Sequence, residues 1–188
     1  LLCSLFVLSI GIERALYFRR MDSGRAFARD FYLALANGKR QQAEKLADDA
    51  RGALADILFA VITKKPEARK NPATYMEVQS GIALAKLRKR LYYLSVIVTM
   101  APLLGLLGTI SGMITSFSVF NLESGQATAI TGGVGEALIA TAMGLCVAIV
   151  SLAVHAYFSQ RIENIVTDME QCFSMVETAD DESKEEAA

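Results

Sequence analysis

An all-α integral membrane protein is the fold class the sequence predicts, and three observations predict it. Hydrophobic residues make up 53% of the 188 and mean hydropathy is positive, while the 21% of charged residues gather into blocks instead of spreading evenly. Such blocks fit spanning helices joined to a sizeable aqueous part. Two stretches, Leu91 to Leu122 and Ala137 to Gln160, hold no Asp, Glu, Lys or Arg, and each exceeds the roughly 20 residues that cross a hydrocarbon core of about 30 Å. Finally, Glu136 is the one charged residue between Glu123 and Arg161.

The elements follow in chain order. Leu1 to Ile12 carries no charge but is shorter than a span. Glu13-Arg14 interrupts it, where a signal peptide would show a small-residue cleavage pattern. The run is therefore expected to be the inner end of a first transmembrane helix, bounded at residues 1–20, whose beginning precedes Leu1.

Residues 21–90 are expected to form an aqueous helical region. Asp22-Ser23 offers an N-cap, Asn37-Gly38 a break, Lys64-Lys65-Pro66 a stop, and Asn71-Pro72 a cap followed by proline at the first helical position. Leu54, Ile57, Leu58, Val61 and Ile62 recur at helical spacing and mark a packing face. A helix starting at Pro72 is expected to continue without interruption into the membrane.

A second span is then expected over 91–120, with its uncharged stretch long enough to tilt or project beyond the bilayer. A connecting loop rich in Gly, Ser and Thr is expected over 121–131, and a third span over 132–160. The stripe Ile162, Ile165, Met169 and Phe173 extends that last span as a helix, and the acidic end from Asp180 to Glu186 reads as a solvated tail within 161–188.

Basic residues orient the chain. All but two of the 19 Lys and Arg fall between Arg14 and Arg90, the others being Arg161 and Lys184, and the predicted 121–131 loop has none. The positive-inside rule places that loop outside and the remainder inside. Lys86-Leu-Arg-Lys-Arg90 then lies at the cytoplasmic headgroups, where anionic lipid holds a basic cluster. With net charge −1 the same cluster makes a poor nucleic-acid surface.

Enzyme chemistry finds little support. The three cysteines, Cys3, Cys146 and Cys172, share no metal-like spacing, and His155 is the single histidine. No phosphate-binding glycine pattern and no nucleophile–base constellation is present, so no catalytic residue, cofactor or metal is expected.

The small and hydroxyl residues inside the spans carry more information. Pro102, Gly105, Thr109, Gly112 and Ser116 share one face of the second span; Ala137, Thr141, Gly144, Ala148, Ser151 and His155 share one face of the third. Gly108 and Gly112 form a further pair that lets helices approach closely. Such faces either pack tightly or line a pore or partner helix. Glu136 needs a cavity or a partner, because a charge in hydrocarbon costs several kcal/mol. Five residues separate it from Thr141, about 140° around an ideal helix.

The segments Ala101-Pro-Leu-Leu-Gly-Leu-Leu-Gly-Thr-Ile-Ser-Gly-Met-Ile-Thr-Ser-Phe117 and Gly132-Gly-Val-Gly-Glu-Ala-Leu-Ile-Ala-Thr-Ala-Met-Gly-Leu-Cys-Val-Ala-Ile149 resemble the signature segments of the MotA/TolQ/ExbB proton channel family, closest to its ExbB and TolQ branch. The resemblance implies a homopentameric ring in the bacterial inner membrane, with the N-terminus outside and the C-terminus cytoplasmic. It further implies ExbD- or TolR-like single-span subunits inside the ring, with a TonB- or TolA-like protein driven by proton flow. The family's pore threonines and glutamate fall on Thr109, Thr141 and Glu136. Pro102, Gly105, Gly108, Gly112, Gly144 and Ala148 are expected to pack helices. Val150-Ser151 stands where many members carry proline. Iron-siderophore uptake is the expected process, with envelope maintenance, surface motility or a non-conducting membrane scaffold as alternatives.

Overall fold

The computed structural model describes residues 2–122 and 127–185, with side chains over 3–118 and 132–180. Eight helices are described: α1 (Leu2–Met21), α2 (Arg25–Ala36), α3 (Arg40–Asp49), α4 (Ala53–Ile62), α5 (Pro66–Arg69), α6 (Pro72–Arg88), α7 (Leu91–Leu122) and α8 (Ala127–Glu185). Among the described residues there is no strand. Two helical stretches, Pro72–Ser118 and Gly132–Asp180, are long and apolar enough to cross a membrane.

The chain divides into two compact units, Leu1–Ile12 with Arg90–Tyr157, and Glu13–Lys89 with Phe158–Ala188. In the first unit small residues line the contact of α7 with α8, Val7, Ile10, Leu91 and Leu94 are buried as well, and large side chains such as Leu103, Leu107, Ile114, Leu138, Met143 and Ile149 point outward. Helices that expose many large apolar residues and meet through small ones are suited to lipid or to other helices, not to water.

The second unit has an ordinary apolar core. Eight of the ten residues of α4 are buried, including all five of the predicted packing face, because a helix apolar all round must lie inside. The α8 stripe through Ile162, Ile165 and Met169 is buried as its spacing predicts, but it continues through Cys172 and Val176, leaving Phe173 half-buried. Phe18 and Phe158 stack with ring centroids 5.0 Å apart.

Local signals set several helix ends. Gly38, at φ +70, closes α2, with its amide bonded to Leu35 and that of Lys39 to Ala34. Asn71 caps α6 by accepting from the Thr74 amide at 3.2 Å, with Pro72 at the first position.

Other expectations are corrected. Asp22-Ser23 does not cap α2, whose N-cap is Gly24. The Asp22 carboxylate accepts from the Gly24 amide and from Arg161, while the Ser23 hydroxyl accepts from the Ala55 amide at 3.2 Å, capping α4 from 32 residues away. Gly52, at φ +123, makes this possible: a Cβ there would lie 2.5 Å from the Ser23 Oγ and 2.9 Å from the Met21 carbonyl.

The helix from Pro72 is not uninterrupted; it breaks at Lys89-Arg90, between α6 and α7. Arg14, 4% exposed, lies at that break and donates to the carbonyls of Lys86 and Leu87.

The connector between the last two long helices is also shorter than 121–131. Residues 121–122 belong to α7 and 127–131 to α8, while 123–126 lie outside the described residues. Glycine in a helix costs only about 1 kcal/mol relative to alanine, whereas a backbone polar group left unpaired costs more. Gly132, Gly133 and Gly135 therefore stay helical. Past residue 160 the helix runs on within α8 to Glu185, as the stripe from Ile162 predicts; residues 186–188 of the expected acidic tail lie outside the described residues.

Candidate functional site

Within the first unit, α7 and α8 meet along their small residues. A Cβ on Gly105 would lie 3.0 Å from the Thr141 Cα, one on Gly108 2.8 Å from the Ala140 Cβ, and one on Gly112 3.0 Å from the Ala137 Cβ. From the other side, a Cβ on Gly144 would lie 2.6 Å from the Ala101 carbonyl oxygen and 3.0 Å from the Gly105 Cα. The seam continues at one end with Gly133 against Ser116, and at the other with buried Ala148. Backbones this close exchange dispersion and weak Cα–H contacts that larger residues would prevent.

Pro102 lies inside α7. Lacking an N–H, it removes the donor that the Val98 carbonyl would receive in an unbroken ladder. Nearby, Ser151 is fully buried and its hydroxyl donates to the Leu94 carbonyl at 3.0 Å, tying α8 to α7. Ser151 thus supplies an interhelical bond. Its three-residue spacing from Ala148 signalled the face, but a sequence cannot name a backbone acceptor as its partner.

The three predicted proton-pathway residues occupy different surroundings. Glu136 is exposed. Thr109 is half-buried and its hydroxyl donates to the Leu106 carbonyl at 2.7 Å. Thr141 is half-buried as a residue, but its Oγ1 is covered and has no hydrogen-bond partner; it is the one such buried side-chain atom among the described residues. The other threonines show what is missing. Thr99, Thr109, Thr115, Thr167 and Thr178 each donate to a carbonyl three or four residues back on their own helix. Thr141 forgoes that local bond, and a buried hydroxyl left unpaired costs about 1–3 kcal/mol. Glu136 and Thr141 present opposite exposures on one helix, as about 140° of separation requires.

The second unit holds a separate polar seam. Arg161 donates to Asp22 through Nε at 3.2 Å and Nη2 at 2.8 Å, and Arg25 donates to the Asn164 side chain. A cleft of about 650 Å³ beside it is lined by Arg25, Arg29, Tyr32, Asp168 and Gln171. Burial raises the Asp168 carboxyl above its usual range, against the lowering effect of Arg25 and with a further push from Asp22. Burial, with help from Asp168, pushes the Cys172 thiol up to about 12, and its S–H donates to the Ala28 carbonyl. Among the described residues no three His, Cys, Asp or Glu side chains gather as metal ligands would.

Comparison with known proteins agrees with this arrangement of long apolar helices. The model of the MotA/TolQ/ExbB proton channel family matches residues 43–171. The protein named ExbB-like 1 of Synechocystis is 33% identical over 159 residues, 82% of this chain and 63% of that protein. The biopolymer transport protein ExbB of Aquifex aeolicus is 36% identical over 45% of this chain and 58% of its own length. The Tol-Pal system protein TolQ of Pseudomonas aeruginosa is 34% identical over 43% of this chain and 36% of its own. Each match spans less than two thirds of the relative. With two helices long and apolar enough to cross a membrane, and a family match over most of its length, this chain belongs to the MotA/TolQ/ExbB proton channel family, in its ExbB/TolQ branch.

Proposed function

We propose that the chain is the multi-span subunit of a proton-driven energy transducer, five copies forming a ring in a bacterial inner membrane around ExbD- or TolR-like single-span partners. In this reading α1 supplies the inner end of a third span, the N-terminus is outside and the C-terminus cytoplasmic. The distribution of Lys and Arg supports that orientation. A TonB-like protein receives the motion in the preferred case; a TolA-like protein or a surface-motility apparatus is the alternative.

One observation carries the reading: the buried hydroxyl of Thr141 has no partner in its own chain. A hydroxyl can donate to a carboxylate or accept from a carboxylic acid, so it suits a group on an enclosed helix that alternates between the two. Each proton crossing 100 mV releases about 2.3 kcal/mol, which does work only if passage is tied to motion. Thr109, whose hydroxyl already has an acceptor, shapes the same path, and exposed Glu136 tunes the charge at its outer side.

The test is proton flux in vesicles reconstituted with the chain and its single-span partner. Thr141→Val keeps the side-chain shape and removes the hydroxyl; it should lower flux at least tenfold while the ring still forms. Unchanged flux in an intact ring refutes the assignment.

A non-conducting scaffold is the second reading. It is favoured by the glycine seam, because Gly105, Gly108, Gly112 and Gly144 find contacts within one chain and need no pore to account for them. In that reading Thr141→Val leaves partner-dependent flux at the level of empty vesicles in both proteins.

A further inference from the structure

Two edges of the second unit carry rows of opposite charge, and the proposed transport uses neither. One lies where α2 meets α8. Arg25, Arg29 and Tyr32 recur at steps of four and three, so they share one row of α2. All three are exposed, and they line the cleft of about 650 Å³ together with Gln171 and half-buried Asp168. Arg25 donates to the Asn164 side chain. Arg29 meets Asp30 at 3.2 Å, but those side chains are 73% and 50% exposed, and a surface pair of this kind contributes about 0–1 kcal/mol. Arg29 is therefore free to take a better partner. Leu33, beside this row, is exposed as well.

The other edge is on α8 itself. Glu163, Glu170 and Glu177 are exposed at seven-residue steps. Each step drifts only about 20° round the helix, so the three carboxylates form a row about 21 Å long. Glu163 meets Arg88 at 3.6 Å, whereas Glu170 and Glu177 have no ion pair among the described residues. Ala73 and Met76 share a cleft with Glu177. With Arg88 at one end of the row and Ala73 at the other, α6 runs antiparallel beside it. There α6 exposes Val78 and Ile82, one turn apart, and nothing lies within 4 Å of where a side chain would begin on Gly81. Glu163, Glu170 and Glu177 stand roughly 120° round α8 from Asn164, Asp168 and Gln171. The two edges are thus different faces of one unit. Each sets a row of charge beside exposed apolar side chains: arginines with Tyr32 and Leu33, glutamates with Val78 and Ile82.

We propose that the edge of Arg25, Arg29 and Tyr32 docks on the row of Glu163, Glu170 and Glu177 of a second copy of this chain. Either edge set against its own copy would bring like charges together, which is costly; only the head-to-tail pairing sets arginine against glutamate and covers the apolar side chains of both. A ring of more than two copies needs such a contact, because its interfaces join two different patches of the same subunit. The contact rests on the ring proposed above and names the surfaces of the second unit that close it.

Cross-linking between two differently tagged full-length chains tests the contact. One chain carries Tyr32→Cys and the other Glu170→Cys; they are co-expressed, and the membranes are oxidised with copper phenanthroline. Only a bond between copies gives a product bearing both tags. That product should exceed at least tenfold the yield when either cysteine variant is paired with the wild-type chain, a control that accounts for the native cysteines. Adding Arg29→Glu to the Tyr32→Cys chain should lower the yield at least fivefold, because glutamate then faces glutamate. A yield at the control level, or one that Arg29→Glu leaves unchanged, overturns the proposal. Native mass measurement after mild detergent extraction of the same membranes separates the contact from the ring. A five-copy assembly without the cross-link overturns this contact alone, and a monomer overturns the ring and the contact together.

Discussion

Replacing Gly144 by alanine adds a single methyl group at the point where α8 meets α7. That methyl would lie 2.6 Å from the Ala101 carbonyl oxygen, 3.0 Å from the Gly105 Cα and 3.2 Å from the Gly105 nitrogen. All three are backbone atoms, so no side chain can rotate away. Ordinary contact begins near 3.4 Å, and the helices must separate by about 0.8 Å locally. The separation also loosens Gly108 against Ala140 and Gly112 against Ala137. Overpacking of this kind costs about 1–3 kcal/mol, against a gain of at most about 1 kcal/mol from the better helix former. A net loss of about 1–2 kcal/mol lowers the folded-to-unfolded ratio roughly 5–30-fold. Gly135 is the internal control: nothing lies within 4 Å of its added methyl, so Gly135→Ala should be neutral or stabilising. Denaturant titration of the detergent-solubilised chain, followed by helical circular dichroism, compares the two. Equal stability of Gly144→Ala, Gly135→Ala and wild type would refute the close seam.

Three further outcomes are expected. Glu136→Gln removes an exposed charge that has nearly the same shape as its replacement, so ring yield should be unchanged while proton flux falls; loss of the ring, measured on the same preparation, would instead assign Glu136 to assembly. Cys172, with its thiol near 12, is almost wholly protonated at neutral pH, so a maleimide should modify it at least a hundredfold more slowly than a free thiol until the protein is denatured; rapid labelling of the native chain would contradict its burial. The Asp168 carboxyl is raised in the folded state, so its contribution to stability is present at acid pH and is lost as pH rises above about 4. Asp168→Asn should flatten that decline, and identical pH profiles for the two proteins would show that the group does not titrate abnormally.

How much of this was legible in the sequence depended on where each signal's partner lay. The uncharged stretches, the Asn71-Pro72 cap, the Asn37-Gly38 turn and the apolar face of α4 rest on residues within a few positions of each other, and those can be read locally. Ser23 looked like a cap because serine beside aspartate is a capping sequence; it does cap a helix, but the amide it meets belongs to Ala55. The α6–α7 break had no local mark, since neither proline nor glycine lies between Leu87 and Leu91. The loop expected over 121–131 was read from Gly, Ser and Thr content, which in water favours turns, whereas the helical backbone extends into both ends of that segment. In the candidate site, alternating steps of three and four residues revealed the small faces of α7 and α8. It did not distinguish the Thr109 hydroxyl, which bonds to its own helix, from that of Thr141, which does not.

The turn at Asp22-Ser23-Gly24 sets limits on how this chain can be lengthened. Its three residues hold the Arg161 side chain, the first turn of α4 and the start of α2, while Gly52 leaves no room for displacement against it. One inserted residue there would shift every one of these attachments out of register. The turn at Gly38 has nothing within 4 Å of where a side chain would begin, and its exposed neighbours Asn37 and Lys39 bond only to the adjoining ends of α2 and α3. Insertions between Asn37 and Lys39 therefore meet little resistance, and an epitope or fluorescent label belongs there, sixteen positions along the chain from a turn that would reject it.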